Sequence, residues 1–234
     1  MKCGFNYLTP INHSHNNMNT KSNSSNRRDF LQTTSRMALG ATGLIALAGL
    51  DTAAAGPVPV QDNPNVFGLR EGYTPMVSNL VSMMDWMRGV VLGSVRGLST
   101  SELDFLLDKE ANSIGAMLMH LAATERFYQL NSMDGRRWGN WPSEDRRRFS
   151  VASGLGDNAR AKIKGNPLSY YMDTLKEVRE ETLVRLKNLD DDWLLRTDPN
   201  FAWGPTNNYC KWFHVVEHES NHNGQIKLIK SRIS

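Results

Sequence analysis

The chain has 234 residues, enough for one domain with its own core or for two small ones. Its 27 Lys and Arg against 24 Asp and Glu give a formal charge of +3, but five of the cations and two of the anions fall within residues 1–55. The remainder holds 22 of each sign, and that balance leaves no net-charge case for a nucleic-acid partner.

Residues 1–55 read as an export signal rather than folded structure. A polar Asn/Ser-rich stretch leads to Asn26-Arg27-Arg28-Asp29-Phe30-Leu31-Gln32, and a run of small and aliphatic residues follows from Met37 to Leu50. Ala53-Ala54-Ala55 supplies the small residues that a signal peptidase reads. The run is too short for a comfortable membrane span, so no stable span is expected after cleavage. The paired arginines before Asp-Phe-Leu resemble the twin-arginine type of signal, which implies a periplasmic destination. Gln32 stands where such signals often carry lysine, and Met18 is an alternative start. Cys3 lies in this leader, which leaves Cys210 alone and rules out an intramolecular disulfide in the exported part.

Residues 56–72 are rich in Pro, Gly and Asn and read as an extended linker; a single domain is expected over 73–234. Met76, Leu80, Met83, Met84, Met87, Val91 and Val95 recur at helical spacing, so a first helix is predicted over 73–95, opened by Thr74-Pro75. Residues 97–103 read as a turn with cap residues. A second helix is predicted over 108–132, with Ile114, Met117, Leu118, Leu121 and Phe127 on its core face. Residues 133–165 read as irregular, with Arg146-Arg147-Arg148 a solvated loop and Trp138 and Trp141 covering the bundle end or forming an aromatic pocket wall.

A third helix is predicted over 167–189. Tyr171, Leu175, Val178, Thr182 and Leu186 form its stripe, and Glu177, Arg179, Glu180, Glu181 and Arg185 its wet face. Residues 190–205 read as irregular, and a fourth helix is predicted over 208–231. With no strand alternation, the fold class is all-α, a four-helix bundle whose ligands project inward from facing helices.

Outside the leader the chain keeps four histidines: His120 on the second helix, and His214, His218 and His222 on the fourth. The last three stand four residues apart, so they share one helix face. His214 and His222 are separated by about 12 Å of helix rise and cannot easily hold one ion together. An adjacent pair can, with His120 as third ligand, and spacing does not choose between 214/218 and 218/222. Three imidazoles would leave an open position for water or substrate, as in catalytic zinc sites. Glu125 reads either as an acceptor fixing an imidazole tautomer or as a surface residue. The plainer alternative is that the histidines are polar core.

Ser113 to Glu125, containing His120, and Trp212 to Ile226, containing His218-x-x-x-His222-Asn-Gly-Gln, resemble the DinB/YfiT-like superfamily of metal-dependent four-helix bundles. The resemblance covers roughly 73–234. It implies that His120, His218 and His222 hold the metal, usually zinc or nickel. His214 then becomes a neighbour that lines the pocket, hydrogen-bonds substrate or serves as an acid/base group, with His214 or Glu125 assisting the ion in catalysis. The family commonly has a basic residue before the glycine, where this chain has Asn223. Some members resemble thiol transferases using bacillithiol or mycothiol, and others hydrolases or isomerases; homodimers are common. The resemblance implies a metal-dependent enzyme that activates water or a thiol toward a small-molecule substrate. The alternative is a non-catalytic metal-binding or stress-related bundle.

Overall fold

The structure, a computed structural model, describes residues 63–137 and 139–233; the leader expected over 1–55 and Trp138 lie outside them. The elements run α1 (Pro75–Val95), α2 (Thr100–Asp104), α3 (Ile114–Tyr128), a π-helical turn (Gln129–Met133), α4 (Ser143–Gly154), α5 (Gly156–Lys162), α6 (Leu168–Leu186), α7 (Asp191–Leu195), β1 (Thr197–Asp198), β2 (Thr206–Asn207) and α8 (Asn208–Lys230). The four long helices form the all-α bundle that the periodicity predicts. α3 packs on both α6 and α8, and α1 closes the ring against α8 and α6. Among the described residues no helix is long and apolar enough to cross a membrane.

Local chemistry places the helix starts. Pro75 occupies the first turn of α1, but the exposed amides there are not capped by Thr74. Asp191 reaches across from α7 and accepts from the amides of Met76 and Val77 and from the Thr74 hydroxyl. The second long helix begins at Ile114 rather than 108. Ser113 accepts from the Ala116 amide as N-cap, while Asp108 spends its carboxylate on a local turn, accepting from Glu110 and Ala111. The capping box of Ser99 and Glu102 opens a short helix, α2, where the sequence reads as a turn. Residues 63–72 form turns lying along α1, with Arg70 hydrogen-bonded to Ser78 and Ser82.

Two stretches read as irregular contain helices. Residues 143–154 form α4, whose first turn carries Glu144 and Asp145 and which buries Asp145, Phe149 and Ala152 along one side. The arginine run sits on this helix, not in a loop, and Arg148 pairs with Glu177 of α6. Trp141 is half-buried, in ring contact with Phe127 and Phe149. In 190–205, Asp190 caps α7, and β1 pairs antiparallel with β2.

The apolar stripes of the predicted helices make the core, with Met76 and Met83 only partly buried. The core is not apolar throughout. Arg88 of α1, Glu125 of α3, Arg179 of α6 and Glu219 of α8 meet at its centre, each at least nine-tenths buried. Arg179, which reads from the sequence as part of a wet face, donates to both oxygens of Glu125 at 2.8 and 3.1 Å and to Glu219 at 2.9 Å. Arg88 donates to Glu125 at 2.7 Å and to Glu219 at 2.6 Å. Arg88 also donates to the Leu175 carbonyl and Arg179 to the Met84 carbonyl, and the Thr182 hydroxyl donates to Glu125. Two charges of each sign thus cancel inside the bundle.

Close approach of α3 and α6 depends on Gly115. A Cβ there would lie 2.6 Å from the Tyr171 hydroxyl oxygen and 2.8 Å from the ring carbon bearing it. Gly115→Ala is expected to destabilise the protein by about 1–3 kcal/mol in denaturant melts; an unchanged midpoint would mean that Tyr171 moves aside freely.

Burial pushes the Glu125 carboxyl up, but Arg179 and Arg88, with the hydrogen bonds from Arg179 and Thr182, outweigh it and hold it at about 2. Folding therefore gains from this group fully above its ordinary value of 4.5, and the gain is lost as pH falls toward 2. Stability should drop across that window, and Glu125→Gln should flatten the drop. The same variant leaves buried guanidinium charge uncompensated and should cost about 3–5 kcal/mol at neutral pH.

Candidate metal centre

His120 lies on the core side of α3, seven residues after the Ser113 cap, and is 8% exposed. His218 and His222 face it from α8. The Nε2 atoms of His120 and His218 stand 2.8 Å apart. The His120 ring lies 4.9 Å from that of His218 and 5.1 Å from that of His222, and the latter two are 4.6 Å apart. One ring nitrogen from each of the three lies within 4.8 Å of the others. The fold thus resolves the choice that spacing left open: the 218/222 pair faces His120.

The tautomer of His120 follows from its partner. Its Nδ1 is 2.8 Å from the Ala152 carbonyl, which can only accept, so Nδ1 carries the proton and Nε2 presents a lone pair to the other imidazoles. This is the outer hydrogen bond that orients a metal-ligating histidine. It comes from α4, a helix the sequence reading missed, and a backbone carbonyl leaves no residue-type signal to find. Glu125 does not fill the role. It is fully buried, with both oxygens bound to Arg88, Arg179 and Thr182, so it is neither an imidazole partner nor a surface residue.

His214 stands one turn before His218, with ring centroids 5.0 Å apart. Its Nδ1 hydrogen-bonds the Tyr128 hydroxyl at 2.9 Å, and its ring meets that of Trp203 edge to face with centroids 5.0 Å apart. Tyr128 belongs to α3, so His214 is tied to the same helix that carries His120. His214 Nε2 lies 3.9 Å from Glu217, and with Glu217 and His218 it forms a second, less buried group at ligand spacing.

Burial, followed by the neighbouring imidazoles, pushes His218 down to about 2. Burial and His120 push His214 and His222 down to about 4. Burial also lowers His120, against its bond to Ala152. At neutral pH all four are uncharged, which is the state that binds a metal. The donor set fits a divalent ion: three neutral imidazoles converge, one with its outer nitrogen already anchored.

An all-α bundle with converging histidines from two facing helices defines a DinB-like protein. The model of the mycothiol-S-transferase family, itself DinB-like, matches residues 79–234, more than half of the chain, and the protein belongs to that family. Comparison with curated proteins returned no match.

Purified protein should bind about one equivalent of divalent metal per chain by elemental analysis. His120→Ala, His218→Ala and His222→Ala should each lower that occupancy, and a chelator should lower the wild-type melting temperature but not theirs. His214→Ala should keep its metal. Loss of metal in His214→Ala with retention in His222→Ala would shift the centre to the His214–Glu217–His218 group.

Proposed function

We propose that the protein is a metal-dependent S-transferase, with zinc or nickel held by His120, His218 and His222 and a low-molecular-weight thiol as donor. The observation that carries this reading is the convergence of three uncharged imidazoles in a chain of the mycothiol-S-transferase family. When bound, the ion would supply the positive charge that brings a thiol's pKa toward neutrality. The residues around it set the conditions. Ala152 holds His120 in the ligating tautomer. Tyr128 fixes the His214 ring beside His218, and Trp203 meets the same ring edge to face, so the centre is bordered by aromatic side chains. Glu125 takes no part in the chemistry, because its oxygens are committed to the buried arginines.

A second reading is favoured by one observation, the Arg27-Arg28 motif and the apolar run behind it. These support export by the twin-arginine route, which carries folded proteins and suits a metal loaded before transport. Thiols such as mycothiol are mainly cytosolic, so a periplasmic protein would use the same site to activate water, as a hydrolase.

The two readings separate in one assay. Metal-loaded protein is incubated with a chromogenic electrophile, with and without mycothiol or a simpler thiol. S-transfer predicts product only with thiol, and a drop of at least about 100-fold in His218→Ala. Product formed equally without thiol selects the hydrolase. No turnover in fully metallated protein, with all thiols and electrophiles tried, would leave a non-catalytic metal-binding bundle.

A further inference from the structure

A cavity of about 820 Å³ opens between the π-helical turn, the segment around β1 and the first turns of α8. None of the candidate ligands lines it. Its wall carries four cationic side chains, Arg136, Arg137, Arg196 and Lys211, against one carboxylate, Asp198. That carboxylate is already committed. The Lys211 ammonium, 1% exposed as a residue, donates to Asp198 at 2.9 Å and sits 4.5 Å from the centre of the Phe201 ring. Among the described residues the three guanidinium groups have no carboxylate partner.

Their backbone is fixed. The Arg136 amide donates to the Leu130 carbonyl at 2.9 Å, and its own carbonyl accepts from the Asn131 side chain at 2.7 Å. The Arg196 carbonyl accepts from the Asn208 amide at 3.1 Å, and the next two residues are locked in the β1–β2 pairing. Arg136, half-buried, and Arg137 and Arg196, exposed, thus bring an excess of positive charge to one concavity, which an anion would relieve. Guanidinium forks match the planar or tetrahedral oxygens of carboxylate and phosphate. The cavity's size is that of a small-ligand site. The π-helical turn on its wall is a rare backbone form that recurs at functional sites. Phe201 and Tyr128 stand as a layer between this cavity and His214, with ring centroids 6.4 and 5.7 Å apart across the two contacts.

We propose that this cavity binds a small polyanion, a phosphorylated or polycarboxylate metabolite, gripped by Arg136, Arg137 and Arg196. The site is distinct from the histidine centre and does not depend on a metal there. Lys211 and Asp198 form its neutral floor, with Phe201 beneath the Lys211 ammonium.

The test is titration calorimetry on the purified full chain, with inorganic phosphate and with tricarballylate as probes, each against sodium chloride of equal ionic strength. Saturable binding of at least one probe is expected, and which of the two binds tells a phosphorylated ligand from a polycarboxylate. Arg136→Gln and Arg196→Gln should each weaken it about tenfold, as expected for the loss of a charge-assisted contact. Both variants should melt like wild type without anion. His218→Ala, or wild-type protein stripped of metal and dialysed, should bind the probe as wild type does. No saturable binding of either probe overturns the proposal. So does wild-type affinity in the Arg136→Gln/Arg196→Gln double variant, or binding that disappears with His218→Ala.

Discussion

The buried cluster of Arg88, Glu125, Arg179 and Glu219 is the constraint on which the rest of the structure depends. Each of the four long helices contributes one of its charges. A charge taken out of water is tolerated only when paired and hydrogen-bonded, so each helix must arrive at one height and one rotation. Apolar ridges alone would allow neighbouring helices to settle in several registers. The cluster therefore fixes geometry beyond its own contacts. Glu219 is the residue after His218 and three before His222; Glu125 is five after His120. Docking Glu219 and Glu125 on the same two arginines sets α8 against α3 so that the imidazoles meet.

The histidine centre is built with the same economy of polar groups. Three imidazoles are held uncharged by burial and by one another, and the Ala152 carbonyl decides which nitrogen of His120 points inward. Tyr128 performs a related service for His214. Both supports lie outside the four-residue spacing that makes the motif visible. The mycothiol-S-transferase family model matches the part of the chain that carries all four of these histidines.

Much of the bundle was legible because periodicity is a local property. The stripes over α1, α3 and α6 named the core. The misreadings share a cause. The run Arg146-Arg147-Arg148 looks like a loop until Asp145, Phe149 and Ala152 are seen to follow one helix side. Arg179 looks solvated because polarity predicts exposure, and pairing across helices with Glu125 and Glu219 reverses that rule. Asp191 serves as the cap of a helix more than a hundred residues away, a role no window of sequence displays.

The sequence by itself determined the class of the protein and its candidate ligands. Helical spacing, a histidine set confined to two helices, and the residues around His120 and His222 are local patterns, and local patterns survive in one dimension. The tertiary structure decided which pair of histidines faces His120, which atom orients that ring, and that Glu125 is structural. It also gathered Arg136, Arg137 and Arg196 around one cavity. Those outcomes depend on helix register, and register was set by four charges that could be buried only by meeting.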